Sequence, residues 1–335
     1  MIVRYYSASE NYEIVSETKE LPMSRNPVQF QKGMSDADFD RLYGTEEQCG
    51  GALFTWRWPK GFICPACGGR KHSVIGPRAL YQCSACRTQT SLTAGTIFHC
   101  TKLPLKTWFR AIFHMTQTKG GISSLELARR LGVTQNTAWK ISHKLMQVMH
   151  EREAKQPLKG RIEMDDAYLG GKRKGKRGRG ASGKTPFVAA VETTDDGKPH
   201  RMKLHPVPGF TGPALATAVQ SLLSGECMVV TDGLPCFTAV SRQGFIHVPL
   251  RTSGNKVLQD STFKWVNTIL GNVKNALVGT YRAISPKHIP RYLSSFAYRF
   301  NRRFHLPDLF TRLAYVALRT PPMPYRLLKL AENST

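Results

Sequence analysis

Arg161-Ile-Glu-Met-Asp165-Asp166-Ala-Tyr-Leu-Gly-Gly171 is a short β-type run that carries two adjacent carboxylates into a glycine turn. A second apolar run, Val229-Val230-Thr231-Asp232, also ends in a carboxylate. Outward from these stretches, residue periodicity predicts strands near 161–168, 186–193, 201–207, 227–232 and 245–250, and helices near 211–224 and 262–278. Between the carboxylates lies Lys172-Arg-Lys-Gly-Lys-Arg-Gly-Arg179, six cations among glycines. Carboxylates beside so much positive charge point to metal ions handling phosphate.

Three early strands followed by helix, strand and helix resemble the ribonuclease H topology. In that fold one Asp lies on the first strand, a second ends the fourth strand, and a third ligand comes from a later helix. Asp165 and Asp232 fit the first two places, and Asn267 with Lys274 lies on the later helix, seven residues apart and so on one face. Oxygen ligands from three elements hold two Mg²⁺ or Mn²⁺ ions about 4 Å apart, the arrangement for in-line displacement at phosphorus. Asparagine supplies a neutral oxygen, which leaves one charge to be made up by Asp166 or Glu163. Strand alternation places Glu163 and Asp165 on one face and Asp166 on the other, so Glu163 is the expected helper.

The chain has 335 residues and a net charge of +25, from 48 Lys+Arg against 23 Asp+Glu. That excess exceeds what solubility requires and points to a polyanion, with nucleic acid the first candidate. Lys172, Arg173, Lys174, Lys176, Arg177 and Arg179 are expected to track a DNA backbone beside Asp165. From 262 to 335 there are twelve Lys+Arg against two acids, and Arg299, Arg302 and Arg303 are the expected phosphate contacts there. No apolar run reaches membrane-spanning length and the start lacks a signal-peptide pattern, so the expected location is the cytoplasm, with the nucleoid of a bacterium as the natural site.

Cys64-Pro-Ala-Cys67 and Cys83-Ser-Ala-Cys86 form a CxxC, fifteen-residue, CxxC arrangement. Each pair can chelate from a tight turn, and four thiolates leave no open position, so one structural Zn²⁺ is expected. Further on, Leu105, Trp108, Ile112 and Met115 recur at helical spacing, and Ser123 to Ile141 reads as helix, turn at Gly132, helix. Thr134 is placed to cap the second helix. Its outward Gln135, Asn136, Thr137 and Lys140 are the side-chain types that read base edges and phosphates. Upstream, Ser35 and Thr45 open short helices through capping boxes.

The expected organisation is a multidomain α/β chain: a mobile tail (1–33), a helical lead-in (34–58), a zinc ribbon (59–98), a helix-turn-helix DNA-binding region (103–153), a ribonuclease H-like catalytic domain (160–304) and a basic helical C-terminal extension (305–335). Glu163-Met-Asp165-Asp166-Ala-Tyr168-Leu-Gly-Gly171, Val230-Thr-Asp232-Gly233, Trp265-Val-Asn267-Thr with Lys274 and Gly279-Thr-Tyr281, and Tyr292 through Asn301-Arg302-Arg303-Phe304 resemble insertion-sequence transposases of the DDE superfamily. The likeness is to the ISXO-like branch, the insertion-sequence family numbered fifteen ninety-five, whose members can carry an N-terminal zinc ribbon. It implies binding to the terminal inverted repeats of double-stranded DNA, metal-dependent strand cleavage, transfer of the 3′-hydroxyl to target DNA, and a homo-oligomer that pairs two ends. It also implies an Asp-Asp-Asn-Lys catalytic set of Asp165, Asp232, Asn267 and Lys274. Two other readings compete: an inactive, DNA-binding derivative, and a tyrosine recombinase using His288-Ile-Pro-Arg291 with Tyr325, which would need no metal.

Overall fold

The computed structural model describes residues 31–76, 79–170, 183–251, 262–281 and 284–329. The chain begins with α1 (Asp36–Tyr43) and α2 (Glu46–Arg57). Ser35 accepts from the Asp38 N–H, and Thr45 with Gln48 closes a full capping box. A small antiparallel sheet follows, β1 (His72–Ile75), β2 (Leu80–Cys83) and β3 (Gln89–Ser91).

Helices α3 (Leu105–Gln117), α4 (Ser124–Leu131) and α5 (Gln135–Ala154) come next. Gly132, left-handed at φ +66°, ends α4 and Thr134 caps α5 by accepting from the Thr137 N–H. Phe39, Leu53, Trp108, Ile112, Leu127, Ile141 and Leu145 share one core across α1 to α5. The chain returns to this core near its end: α10 (Leu309–Ala317) buries Leu309, Phe310, Leu313 and Ala314 in it.

The second body is a five-stranded sheet of β4 (Leu158–Leu169), β5 (Thr185–Thr193), β6 (Pro199–Pro206), β7 (Leu223–Thr231) and β8 (Ile246–Pro249). Its spatial order is β6-β5-β4-β7-β8, with β4 central. β4 runs antiparallel to β5 and parallel to β7, and β7 runs parallel to β8. The parallel pairing of β4 and β7 requires a crossover, supplied by α6 (Gly212–Leu222) after β6. α7 (Ala239–Arg242) packs on the same face as α6, against Ile162, Met164, Val188 and Val229. The opposite face, with Ala167, Phe187, Ala189 and Val191, receives α8 (Lys264–Thr280) and α9 (Ile289–Asn301). The two-residue period of β4 thus sends even positions to one layer and odd positions to the other.

Conserving charge inside this assembly falls to a few polar joints. Glu163, on β4 and 2% exposed, accepts from the backbone N–H groups of Trp265 (3.1 Å) and Val266 (3.0 Å), at the start of α8. Those N–H groups have no partner within the helix, and a carboxylate there also complements the positive end of the helix dipole. Asn301 bridges β6 and α5 by accepting from the Met202 N–H (2.8 Å) and donating to Glu153 (2.6 Å). Between α5 and α9, His143 stacks on Trp139 and meets His288 edge-on, beside the buried Arg291. Arg291 donates to Gln147, to the Leu328 carbonyl and into contact with His143 Nδ1. The His288 and Arg291 pair is therefore packed into a helix interface.

Burial, reinforced by His288 and Arg291, pushes His143 down to about 3, and burial with Arg291 and Lys287 pushes His288 down to about 4. The folded state holds both neutral while the unfolded chain takes up protons as pH falls below about 6.5. This part of the stability is complete above that value and declines as pH drops toward 4. The melting temperature is expected to fall between pH 7 and pH 5, and His143→Gln should show a visibly shallower fall; equal slopes in the two proteins would contradict it.

Candidate functional site

Register explains how the two separated aspartates meet. Glu163 pairs with Val230 across the parallel β4 and β7 strands, so two residues further along each strand Asp165 comes alongside Asp232. Both then lie toward the carboxyl ends of adjacent strands, at the point where the strand order changes direction, a common place for ligand sites in open sheets. One carboxylate oxygen each of Asp165, Asp166 and Asp232 lies within 4.8 Å of the others. Gly233, at φ +78°, turns the chain away after Asp232, whose carboxylate accepts from the Leu234 N–H at 3.1 Å.

Asp165 is pushed up to about 6, first by burial and also by the Asp166 and Asp232 carboxylates. The Asp166 N–H, donating to Asp165 Oδ1 at 2.8 Å, and the Lys274 ammonium act in the opposite direction. Lys274 is thus close enough to Asp165 for its charge to be felt. Asn267 lies on the same helix at the spacing that shares a face, and both side chains are exposed. Glu163 is not the helper that strand alternation favoured: its carboxylate is engaged by the start of α8, and Asp166 joins the cluster instead. Alternation fixes which face a side chain leaves from, but near a strand end a carboxylate can still reach a neighbour's.

The four cysteine sulfurs form the second cluster, all within 4.8 Å of one another. Cys64 and Cys86 approach to 3.6 Å, as do Cys67 and Cys83. Tetrahedral thiolates about 2.3 Å from a zinc ion would lie about 3.8 Å apart, so the donor set fits that ion. The two turns are matched: the Gly68 N–H donates to the Cys64 carbonyl and the Arg87 N–H to the Cys83 carbonyl, both at 3.0 Å. Both Gly68 and Arg87 adopt positive φ, so the second turn holds a non-glycine residue in the conformation that glycine takes in the first.

The expected DNA contacts divide. Gln135 and Asn136 are exposed at the start of α5, with Gln135 donating to Ser124; Thr137 is partly covered, its hydroxyl against Thr134. Lys140 lies 4.6 Å from the centre of the Tyr325 ring. Lys172, Arg173, Lys174, Lys176, Arg177 and Arg179 lie outside the described residues. The three C-terminal arginines are engaged within the protein. Arg299 donates to Ser295 (2.8 Å), Arg302 pairs with Glu153 (2.5 Å), and Arg303 donates to the Pro199 and His200 carbonyls while stacking on Phe300 and Phe304. Their count in the sequence gave no sign of these internal partners. His247 meets the Thr231 hydroxyl at 2.9 Å. No helix among the described residues is long and apolar enough to cross a membrane.

Comparison with known proteins places this geometry in a family. The ISXO2-like transposase domain family matches residues 157–301, and the transposase zinc-ribbon domain family matches residues 44–89. Over 142 residues the chain is 26% identical to an uncharacterized protein in transposable element ISH50 of Halobacterium salinarum. That alignment takes 41% of this chain and 46% of the relative, so the chain spans less than half of the relative's length. Among solved structures, the Mos1 transposase paired-end complex with left transposon end aligns with 63% of this chain and 79% of its own, at 10% identity and a TM-score of 0.27. A pre-cleavage Mos1 transpososome aligns with 62% and 77%, at 9% identity and a TM-score of 0.25. These structural likenesses are too distant to bear on the fold. Residues 157–301, which carry the three clustered aspartates, belong to the ISXO2-like transposase domain family, and a transposase zinc ribbon precedes them.

Proposed function

We propose that this chain is a DDE-type DNA transposase that binds the terminal inverted repeats of its element, cleaves a strand at each end and joins the freed 3′-hydroxyls to target DNA. The observation that carries this reading is the convergence of Asp165, Asp166 and Asp232 at the ends of adjacent strands inside a transposase domain. The strand order β6-β5-β4-β7-β8, with a helix crossover into β7, supports a ribonuclease H-like core. Helix α4, the left-handed Gly132 and α5 support a helix-turn-helix, with Gln135, Asn136 and Thr137 as base-reading and phosphate-reading candidates.

Asp165 and Asp232, with Asn267 from α8, are the proposed ligands of two Mg²⁺ or Mn²⁺ ions. Bound there, such ions supply Lewis acidity to the attacking oxygen and the leaving 3′ oxygen. The carboxylates fit such ions because they are hard donors, and burial together with their mutual repulsion raises Asp165. Asp166 returns the negative charge that asparagine lacks. Glu163 anchors the start of α8 and so fixes where Asn267 stands. Lys274, whose charge reaches Asp165, is the proposed phosphate contact beside the carboxylates. The Lys172 to Arg179 run is the proposed backbone track, and Cys64, Cys67, Cys83 and Cys86 the proposed ligands of one structural Zn²⁺. Pairing of two element ends requires a homo-oligomer.

Strand nicking and strand transfer on a labelled terminal-repeat duplex with Mg²⁺ or Mn²⁺ test the catalytic assignment. Asp165→Ala and Asp232→Ala should each lose at least about 100-fold, the scale for removing a charge-stabilising group from a reacting site. Asn267→Ala should lose activity and Asn267→Glu retain it, while Asp166→Ala should raise the metal concentration required. Activity that survives both aspartate changes would sink the assignment. Specific binding without nicking in the wild type would establish an inactive DNA-binding derivative, and metal-independent cleavage with a covalent protein adduct would revive the tyrosine reading.

Elemental analysis of the purified chain should find about one zinc per molecule, lost in Cys67→Ser together with a lower melting temperature. A zinc-free protein that melts at the same temperature as the variant would remove the zinc assignment.

A further inference from the structure

Beside the turn between α4 and α5 lies an open groove of about 790 Å³, lined by Glu46, Lys106, Arg110, Arg129, Arg130 and Gly132 among others. Four of its nine lining residues are cationic and one is acidic. The single acid, Glu46, is occupied: its two carboxylate oxygens accept from the Leu105 N–H (2.6 Å) and the Lys106 N–H (2.9 Å), closing the start of α3. Arg110 pairs with Asp40 at 2.5 Å and Arg130 with Glu126 at 2.8 Å. Lys106 and Arg129 have no acidic partner among the described residues.

An arginine in the last turn of a helix, as Arg129 is in α4, complements the helix dipole and by itself says little. Lys106 is different. It stands in the first turn of α3, where the dipole disfavours a cation. The helix dipole therefore does not account for a cation at this position. The groove is open rather than enclosed, which suits an extended polyanion better than a small anion that must be surrounded. Gly132 lines it and leads within three and four residues to the exposed Gln135 and Asn136. A strand of phosphates lying in the groove would thus pass directly beside the start of α5.

We propose that this groove seats a phosphate-backbone segment of double-stranded DNA, held by Lys106 and Arg129, with Arg110 and Arg130 adding field from their ion pairs. The proposal rests on the DNA-binding reading above and extends it to residues outside the helix that reads bases. Phosphate contacts set register and orientation, and base contacts set sequence preference, so the two sets should separate in experiment.

Fluorescence anisotropy of the full chain on a mixed-sequence duplex of about 30 base pairs, across a series of KCl concentrations, reads the difference. Lys106→Gln with Arg129→Gln should weaken binding and flatten the slope of log K against log salt concentration by about 1 to 2, since each neutralised phosphate contributes about 0.9. The charge-conserving pair Lys106→Arg with Arg129→Lys should keep the wild-type slope, which separates loss of contact from misfolding. An unchanged slope in the glutamine pair, with the wild type binding normally, overturns the groove assignment and leaves the DNA-binding reading standing. A wild type with no salt-dependent DNA binding overturns both.

Discussion

Three carboxylates held in one place repel one another, and the central sheet is what keeps them there. Asp165 and Asp166 leave β4, the middle strand, and Asp232 ends β7, its parallel neighbour, so backbone pairing sets their separation. The strain is visible in Asp165, which burial and its acidic neighbours push up to about 6 despite Lys274. An isolated protein gains nothing from such crowding, because each added anion disfavours the others. The proposed divalent cations would relieve that repulsion.

The other elements hold that strained centre in position. Glu163, two residues before Asp165, fastens the start of α8 to β4, which fixes the helix carrying Asn267 and Lys274. Asn301 and Arg302 fasten α9 to β6 and to Glu153 on α5, joining the sheet to the helical body. α10 then packs into the core of α1 to α5, so the end of the chain returns to the body from which it started. The carboxylate centre and the exposed start of α5 are consequently parts of one connected frame.

Much of this was legible in the residues. Period-two runs ending in Asp165 and Asp232 located β4 and β7, and the paired CxxC turns located the sulfur cluster, because both signals are short-range and chemically narrow. Gly132 and Thr134 marked the turn and cap between α4 and α5 for the same reason. Partner choice was not legible. Glu163 shares its face with Asp165, yet no spacing rule shows that the backbone of Trp265 and Val266 claims it. Arg299, Arg302 and Arg303 read as a phosphate-binding cluster because a sequence counts guanidinium groups without showing the carbonyls, rings and carboxylate they meet. Lys106 and Glu46 are 60 residues apart, so the groove they share could emerge only from packing.

Asp165, Asp166 and Asp232 are proposed to form a divalent-metal centre. Anomalous diffraction from crystals grown with Mn²⁺ tests it most directly, since manganese can be located independently of any activity. The expected result is a manganese peak in direct contact with Asp165 and Asp232, lost in Asp165→Ala crystals. Well-ordered carboxylates with no anomalous density between them, at millimolar Mn²⁺ and neutral pH, would contradict it.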